Sequence, residues 1–262
     1  VCELEQLSPI EKLSLTKIPL LTVKMAQRLS SLQVEQLWLW CDVTRRAMRH
    51  VIQLKGIRVL DVLCIRGPGE MASFDKALDL EVFRANHYMT EADLLQAVQC
   101  TQLHELGAQG AELSGKAVAA IMALPNLTRL DLESTCFDDR MAAKICRSKT
   151  IKSLDVGATR ITRLGLSHLI QMQQLESLDL WATDLNEMDL RLLLELPNLQ
   201  YLSLGNYDGL PQLDPQQITQ LVLGCPKLKT VWLDGISLEV DQKRALEAKL
   251  ESLRVTSLSD VG

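Results

Sequence analysis

A period of about 24 residues, running along almost the whole chain, constrains its fold more than any other feature. Segments beginning at Leu127, Ile151 and Leu175 align without a gap on the pattern LxxLxLxx(N/C/T)x(L/I). The first supplies Leu127, Leu130, Leu132, Thr135 and Phe137, the second Ile151, Leu154, Val156, Thr159 and Ile161, the third Leu175, Leu178, Leu180, Thr183 and Leu185. Carrying this register outward gives unit starts at Ile10, Val34, Ile57, Leu80, Leu103, Leu127, Ile151, Leu175, Leu199, Leu228 and Leu250. A repeated unit of this length is one turn of a solenoid, too small to bury its apolar face alone and stable only when stacked on its neighbours.

The first half of each unit alternates apolar and polar residues as a strand does, leucines inward and the intervening positions outward. Strands of successive units therefore add laterally into a parallel sheet at about 4.8 Å per strand. The second half changes period. Residues 90–98, 162–170 and 186–194 carry apolar side chains at three- and four-residue intervals, which predicts helices. Each starts on a residue able to accept a hydrogen bond from an unpaired helix N–H (Thr90, Thr162, Asn186), as do the helices predicted after Ser114, Asp138 and Asp214. A helix is wider than the strand spacing, so the stack curves with its sheet inside. The expectation is an α/β solenoid over residues 1–262 as a single domain of eleven units, with parallel strands on the concave face, helices on the convex face, and 1–9 and 250–262 as caps.

These residues resemble leucine-rich repeats of the ribonuclease-inhibitor-like class, whose convex side is helical. The short period is similar to that of repeats in bacterial plant-pathogen effectors with F-box domains. The stretch Leu221 to Leu228, with Cys225 and Pro226, resembles the cysteine-containing repeats of eukaryotic F-box proteins. The resemblance implies a right-handed horseshoe and a protein-binding role as adaptor, effector or recognition subunit. It leaves open the recognition segment of a larger signalling or ubiquitin-ligase protein, since the sequence begins at Val1 rather than Met. The family's turn Asn or Cys is Thr at Thr135, Thr159 and Thr183, and apolar at Ile18, Ile65, Ala111, Ile236 and Leu258, where less regular loops are expected.

Composition narrows the partner. With 47% apolar and 23% charged residues the chain has a globular balance, and its net charge of −5 disfavours nucleic acid and anionic membranes. A protein with a basic surface suits it better. Seven scattered cysteines without a CxxC pair point to reduced thiols and a cytoplasmic setting, or a host cell's interior for a secreted effector. No signal-peptide pattern opens the sequence.

Counting each unit start as offset zero, offsets two, four and six face outward from the strands. All four tryptophans fall there: Trp38 and Trp40 in the second unit, Trp181 in the eighth, Trp232 in the tenth, with Tyr201 at offset two of the ninth. Tryptophan is the residue most enriched at binding hot spots, although it also favours strands and could simply cover sheet. Offset four holds Asp61, Asp131, Asp155 and Asp179, and offset six Glu133, with Arg129 nearby to offset some of the charge. A row of like charges on adjacent strands is unfavourable in itself. It reads either as a patch for a basic partner or as a copied Leu-Asp-Leu habit. The ninth unit is longer by about five residues, through 206–213.

Offset seven places Cys41, Cys64 and His87 in successive units, which would bring two thiols and an imidazole into a row with Asp42 nearby. In-line residues converge poorly on one ion, so no metal site or cofactor is expected. Cys100, Cys146 and Cys225 fall just before strands, where small apolar residues pack. Of four histidines, His50 and His168 fall in the helical halves and His104 has no serine or cysteine in the neighbouring columns; with no GxxxxGK[ST], GxGxxG or HExxH, this argues against an enzyme.

Overall fold

The computed structural model describes residues 9–68, 74, 79–205 and 213–256. The extra residues 206–212 of the ninth unit, and residues 1–8 and 257–262 of the two predicted caps, Cys2 and Leu258 among them, lie outside the described residues. The chain is an α/β leucine-rich-repeat fold of parallel strands and short helices. It divides into two compact units, Val1–Asp131 and Leu132–Gly262.

The N-terminal unit carries β1 (Ile10–Leu15), β2 (Leu20–Leu21), β3 (Val34–Thr44), β4 (Val59–Arg66), β5 (Val82–Ala85), β6 (Glu105–Gly107) and β7 (Arg129–Asp131). All pair in parallel in the order β1-β3-β4-β5-β6-β7, with β2 beside the far half of β3. Val59 stands opposite Val82 and Glu105 opposite Arg129, so the inferred repeat register is the observed one. Leu37, Leu60, Phe83, Leu106 and Leu130, one per strand, are buried as that register requires.

At Leu39–Asp42 the register slips, with Leu39 opposite Val62 but Asp42 opposite Cys64. This bulge breaks the offset-seven row. Cys41 has no place opposite Cys64, both thiols are buried at 2%, and His87 is exposed. The Cys64 sulfur instead accepts from Arg66 Nε at 3.0 Å, and Arg66 also pairs with Asp42 at 3.0 Å.

The C-terminal unit carries β8 (Ser153–Asp155), β9 (Ser177–Asp179), β10 (Tyr201–Gly205), β11 (Thr230–Asp234) and β12 (Ser252–Thr256), parallel and in sequence order. Leu154, Leu178, Leu202 and Val231 are buried on one side of it. Its first two strands are only three residues long, and the reason is the turn. Ala158 and Ala182 adopt φ of 49° and 53°, as Ser134 does at 58° in the preceding repeat. The threonine that follows each one donates its hydroxyl to the backbone oxygen three residues back: Thr135 to Leu132 at 2.7 Å, Thr159 to Val156 at 2.6 Å, Thr183 to Leu180 at 2.7 Å. The threonine thus satisfies its own turn. Where Ile65 takes its place, β4 runs on to Arg66 instead of turning.

Helices follow the strands as the three- and four-residue spacing predicts: Glu91–Ala97, Gly115–Ile121, Asp139–Ile145, Arg163–Leu169 and Pro215–Gly224. Their side-chain caps are the expected ones, for example Thr90 accepting from Asp93 N at 3.2 Å and Asp138 from Met141 N at 2.9 Å. The helix expected over 186–194 is shorter, a single α-turn at Glu187–Leu190 continuing as a 3-10 turn through Arg191–Glu195. Stacking is reinforced between repeats. Asp139, in the first turn of one helix, accepts from Thr162 N and Gly165 N of the next at 2.9 Å each. Among the described residues no helix is long and apolar enough to cross a membrane.

Candidate partner-binding cleft

On the C-terminal unit the outward offsets form two rows across the strands. Offset four gives Asp155, Asp179, Ser203, Trp232 and Arg254; offset six gives Gly157, Trp181, Gly205 and Asp234. The two rows, with Glu133, surround a cleft of about 260 Å³. Its lining holds two indoles, four carboxylates (Glu133, Asp155, Asp179, Asp234) and one guanidinium, that of Arg254.

Small residues make the space. Trp181 stands in the offset-six row with a glycine on either side. Its indole Nε1 donates to Asp234 Oδ2 at 3.0 Å, and Asp234 is directly opposite Gly205 on the next strand. To reach it the ring crosses Gly205, where any Cβ would lie 2.8 Å from the Asp234 Cβ. On the other side Gly157 leaves an opening, bounded by Asp155 Oδ1 and the Trp181 carbonyl, each 3.2 Å from where a Cβ would stand.

The aspartates have a structural task here as well. Asp155 Oδ1 accepts from Gly157 N at 2.9 Å, and Asp179 Oδ1 from Trp181 N at 2.8 Å. Each carboxylate thereby holds the amide two residues on, at the end of its own strand. This is the physical content of the Leu-Asp-Leu habit. Burial raises the Asp179 carboxyl above the ordinary aspartate range, partly offset by the bonds from Trp181 N and the Ser203 hydroxyl. Tyr201 is pushed up to about 12, by burial first and then by the nearby Asp179 and Asp155 charges, so it is a neutral phenol at physiological pH. Its ring meets Trp232 edge to face, with centroids 5.6 Å apart. The Arg254 guanidinium lies over Trp232 at 5.0 Å from the ring centroid.

Of the residues expected from sequence, Glu133, Asp155, Asp179, Trp181 and Trp232 line this one cleft, and Tyr201 packs against Trp232. Trp232 is 40% exposed. Trp38 and Trp40 belong to the N-terminal unit, the latter 50% exposed at the bulge. Asp131 ends β7 in that same unit, where its carbonyl accepts from Ala108 N at 2.9 Å. Asp61 is also there, and it is balanced by Arg84, which reaches Asp61 at 3.2 Å and Glu105 at 2.6 Å. Ser203, Asp234 and Arg254 were absent from the sequence expectation, although they stand at the same outward offsets. Gly157 and Gly205 carry no side chain to notice.

No protein-family model matches the chain, and no curated protein matches its sequence. Among solved structures it is similar to an internalin from Listeria monocytogenes, at 16% identity over 95% of this chain and 88% of the internalin, TM-score 0.47. It is also similar to leiomodin-1 actin-binding site 2, at 16% identity over 61% of this chain and 87% of that one, TM-score 0.37.

Proposed function

We propose that the chain is a protein-interaction module, acting as an adaptor, effector or recognition subunit inside a cell, that binds a partner with a basic surface. The contact surface is the outward face of the strands. Its anchors in the C-terminal unit are Trp181, Tyr201 and Trp232, with Glu133, Asp155 and Asp179 setting charge preference; Asp131, Trp38 and Trp40 form the contribution of the N-terminal unit. The repeats serve as one domain of the ribonuclease-inhibitor-like class, a placement supported by their helical second halves. Binding rather than catalysis is the activity, and no cofactor is needed. The buried cysteines fit that reading: burial raises the Cys100 thiol to about 12 and lifts Cys225 as well, which leaves both poor nucleophiles.

One observation carries the proposal. Two indoles, one of them 40% exposed, frame a cleft walled by four carboxylates, and large aromatic anchors inside a charged surround are the composition of an interface centre. The immobilised chain is used to isolate a partner, which is then purified and titrated against wild type, W181A and W232A. Each substitution is expected to cost about 2 kcal/mol or more of binding energy. Unchanged affinity with an unchanged circular dichroism spectrum overturns the assignment.

A further inference from the structure

Resting on the protein-binding reading, a narrower inference concerns what enters the cleft. We propose that it receives a single lysine side chain of the partner, its ammonium held among Asp155, Asp179 and Glu133 and its alkyl stem against the indole of Trp181.

Size sets the first limit. At about 260 Å³ the cleft is smaller than the 300–1,000 Å³ of ordinary small-molecule pockets, and suits one unbranched side chain rather than a cofactor. Charge sets the second, because four carboxylates face one guanidinium among the described lining residues. An anion is excluded, and a neutral side chain would leave that charge imbalance unanswered. The aromatic walls supply the rest. An alkyl stem packs on indole carbon while its charged end reaches the acids, and an indole face attracts a cation directly.

Lysine is favoured over arginine by what the cleft already holds. The Trp232 face carries the Arg254 guanidinium at 5.0 Å from its centroid, so the stacking place a second planar guanidinium would use is taken. The contact that the structure gives the Arg254 guanidinium is with this ring. What remains is a set of carboxylates around a small space, matched by a compact ammonium with three donors rather than by a flat fork. Asp155 and Asp179 are held firmly through their Oδ1 bonds to Gly157 N and Trp181 N, so little reorganisation accompanies binding.

The full chain is titrated with N-acetyl-glycyl-lysyl-glycinamide, its Nε-acetyl counterpart and its arginine counterpart, following the four indole N–H signals by NMR. The lysine peptide is expected to shift the Trp181 and Trp232 signals saturably and leave Trp38 and Trp40 unmoved. The Nε-acetyl peptide is expected to give no saturable shift, and the arginine peptide to bind at least threefold more weakly. D155N/D179N keeps an oxygen to accept from Gly157 N and Trp181 N, and should weaken the lysine peptide at least tenfold. R254Q should tighten it. Equal binding of the Nε-acetyl or arginine peptide, or indifference to D155N/D179N in a chain of unchanged circular dichroism, overturns the proposal. Loss of a protein partner on W181A without any lysine-peptide shift would sink the lysine site and keep the binding-module reading. The reverse pattern would do the opposite.

Discussion

Asp93→Asn is the substitution through which the structure of the N-terminal unit can be tested most severely. Asp93 is wholly buried, and its Oδ2 accepts from Arg45 Nε at 2.8 Å and from Thr90 N at 3.0 Å. Arg45 is nearly as buried, its side chain 9% exposed, and its other donors go to Gly67 O at 2.5 Å and Tyr88 O at 2.7 Å. Two loops and two helix starts, those of Arg45–Val51 and Glu91–Ala97, are thus tied through one guanidinium. An asparagine oxygen can still accept from Thr90 N, so the cap survives, but the buried cation loses the one carboxylate that pairs with it among the described residues. Removing one partner of a buried pair costs about 3–5 kcal/mol, and the retained cap puts the expected loss near the lower end, about 3 kcal/mol.

The discriminating measurement is a double variant. R45M/D93N removes the stranded cation and should be more stable than D93N alone by at least ~1 kcal/mol, against simple additivity. Equilibrium urea unfolding, followed by far-UV circular dichroism and by tryptophan fluorescence, reads both. Trp38 and Trp40 report from the unit that contains the pair. A loss of about 3 kcal/mol at an m-value of 1–3 kcal/mol/M lowers the D93N midpoint by more than ~1 M. A D93N midpoint within ~0.3 M of wild type, or a double variant less stable than either single one, would refute the reasoning.

Two further outcomes follow from the C-terminal unit. The raised Asp179 pKa means that the folded chain holds this proton more tightly than the unfolded chain, so stability falls as pH rises through the window between the two values. D179N lacks that dependence: its stability relative to wild type should improve from acid to neutral pH in thermal melts, and a relative stability that falls or stays flat as pH rises would contradict the assignment. Gly165→Ala places a Cβ 2.6 Å from Ile161 Cγ1 and hard against Asp139 Oδ1, which disturbs the carboxylate that links two helix starts. A loss of about 1–3 kcal/mol is expected, read by the same urea titration, and a neutral substitution would show that the helix stack yields freely.

Most of the fold was legible because each repeat restates the same pattern. The eleven unit starts predict which residue stands opposite which, and Val59 opposite Val82 or Tyr201 opposite Thr230 follows from counting alone. Leucine periodicity carries that information since every inward position must be apolar for the stack to close. The bulge at Leu39–Asp42 was not legible: one extra residue in β3 leaves the apolar alternation on either side intact, and only its pairing with β4 reveals it. The row of Cys41, Cys64 and His87 failed for this reason. The division of tryptophans was equally hidden, because an offset says which way a side chain points and not which neighbours it meets. Glu133, Asp155, Asp179, Trp181 and Trp232 share a cleft, but its shape depends on Gly157, Gly205 and Ser203, whose contribution is space.

Asp61 in one unit and Asp155 and Asp179 in the other stand at the same offset and differ in their neighbours. Asp155 and Asp179 are fixed by a backbone requirement, the amide two residues along, and so the repeat supplies carboxylates whether or not anything binds them. In the N-terminal unit Asp61 faces Arg84, an arginine shared with Glu105 and flanked by Arg129 at 3.8 Å from the same glutamate, and the charges close on themselves. In the C-terminal unit the same column continues as Ser203, Trp232 and Arg254, and the arginine lies against an indole. Ser203 and Trp232 thus stand on the strands beside these carboxylates, where Arg84 stands beside Asp61. On the proposed reading, the backbone-fixed carboxylates of the repeat serve a partner where the adjoining strands bring an indole instead of an arginine to the same column.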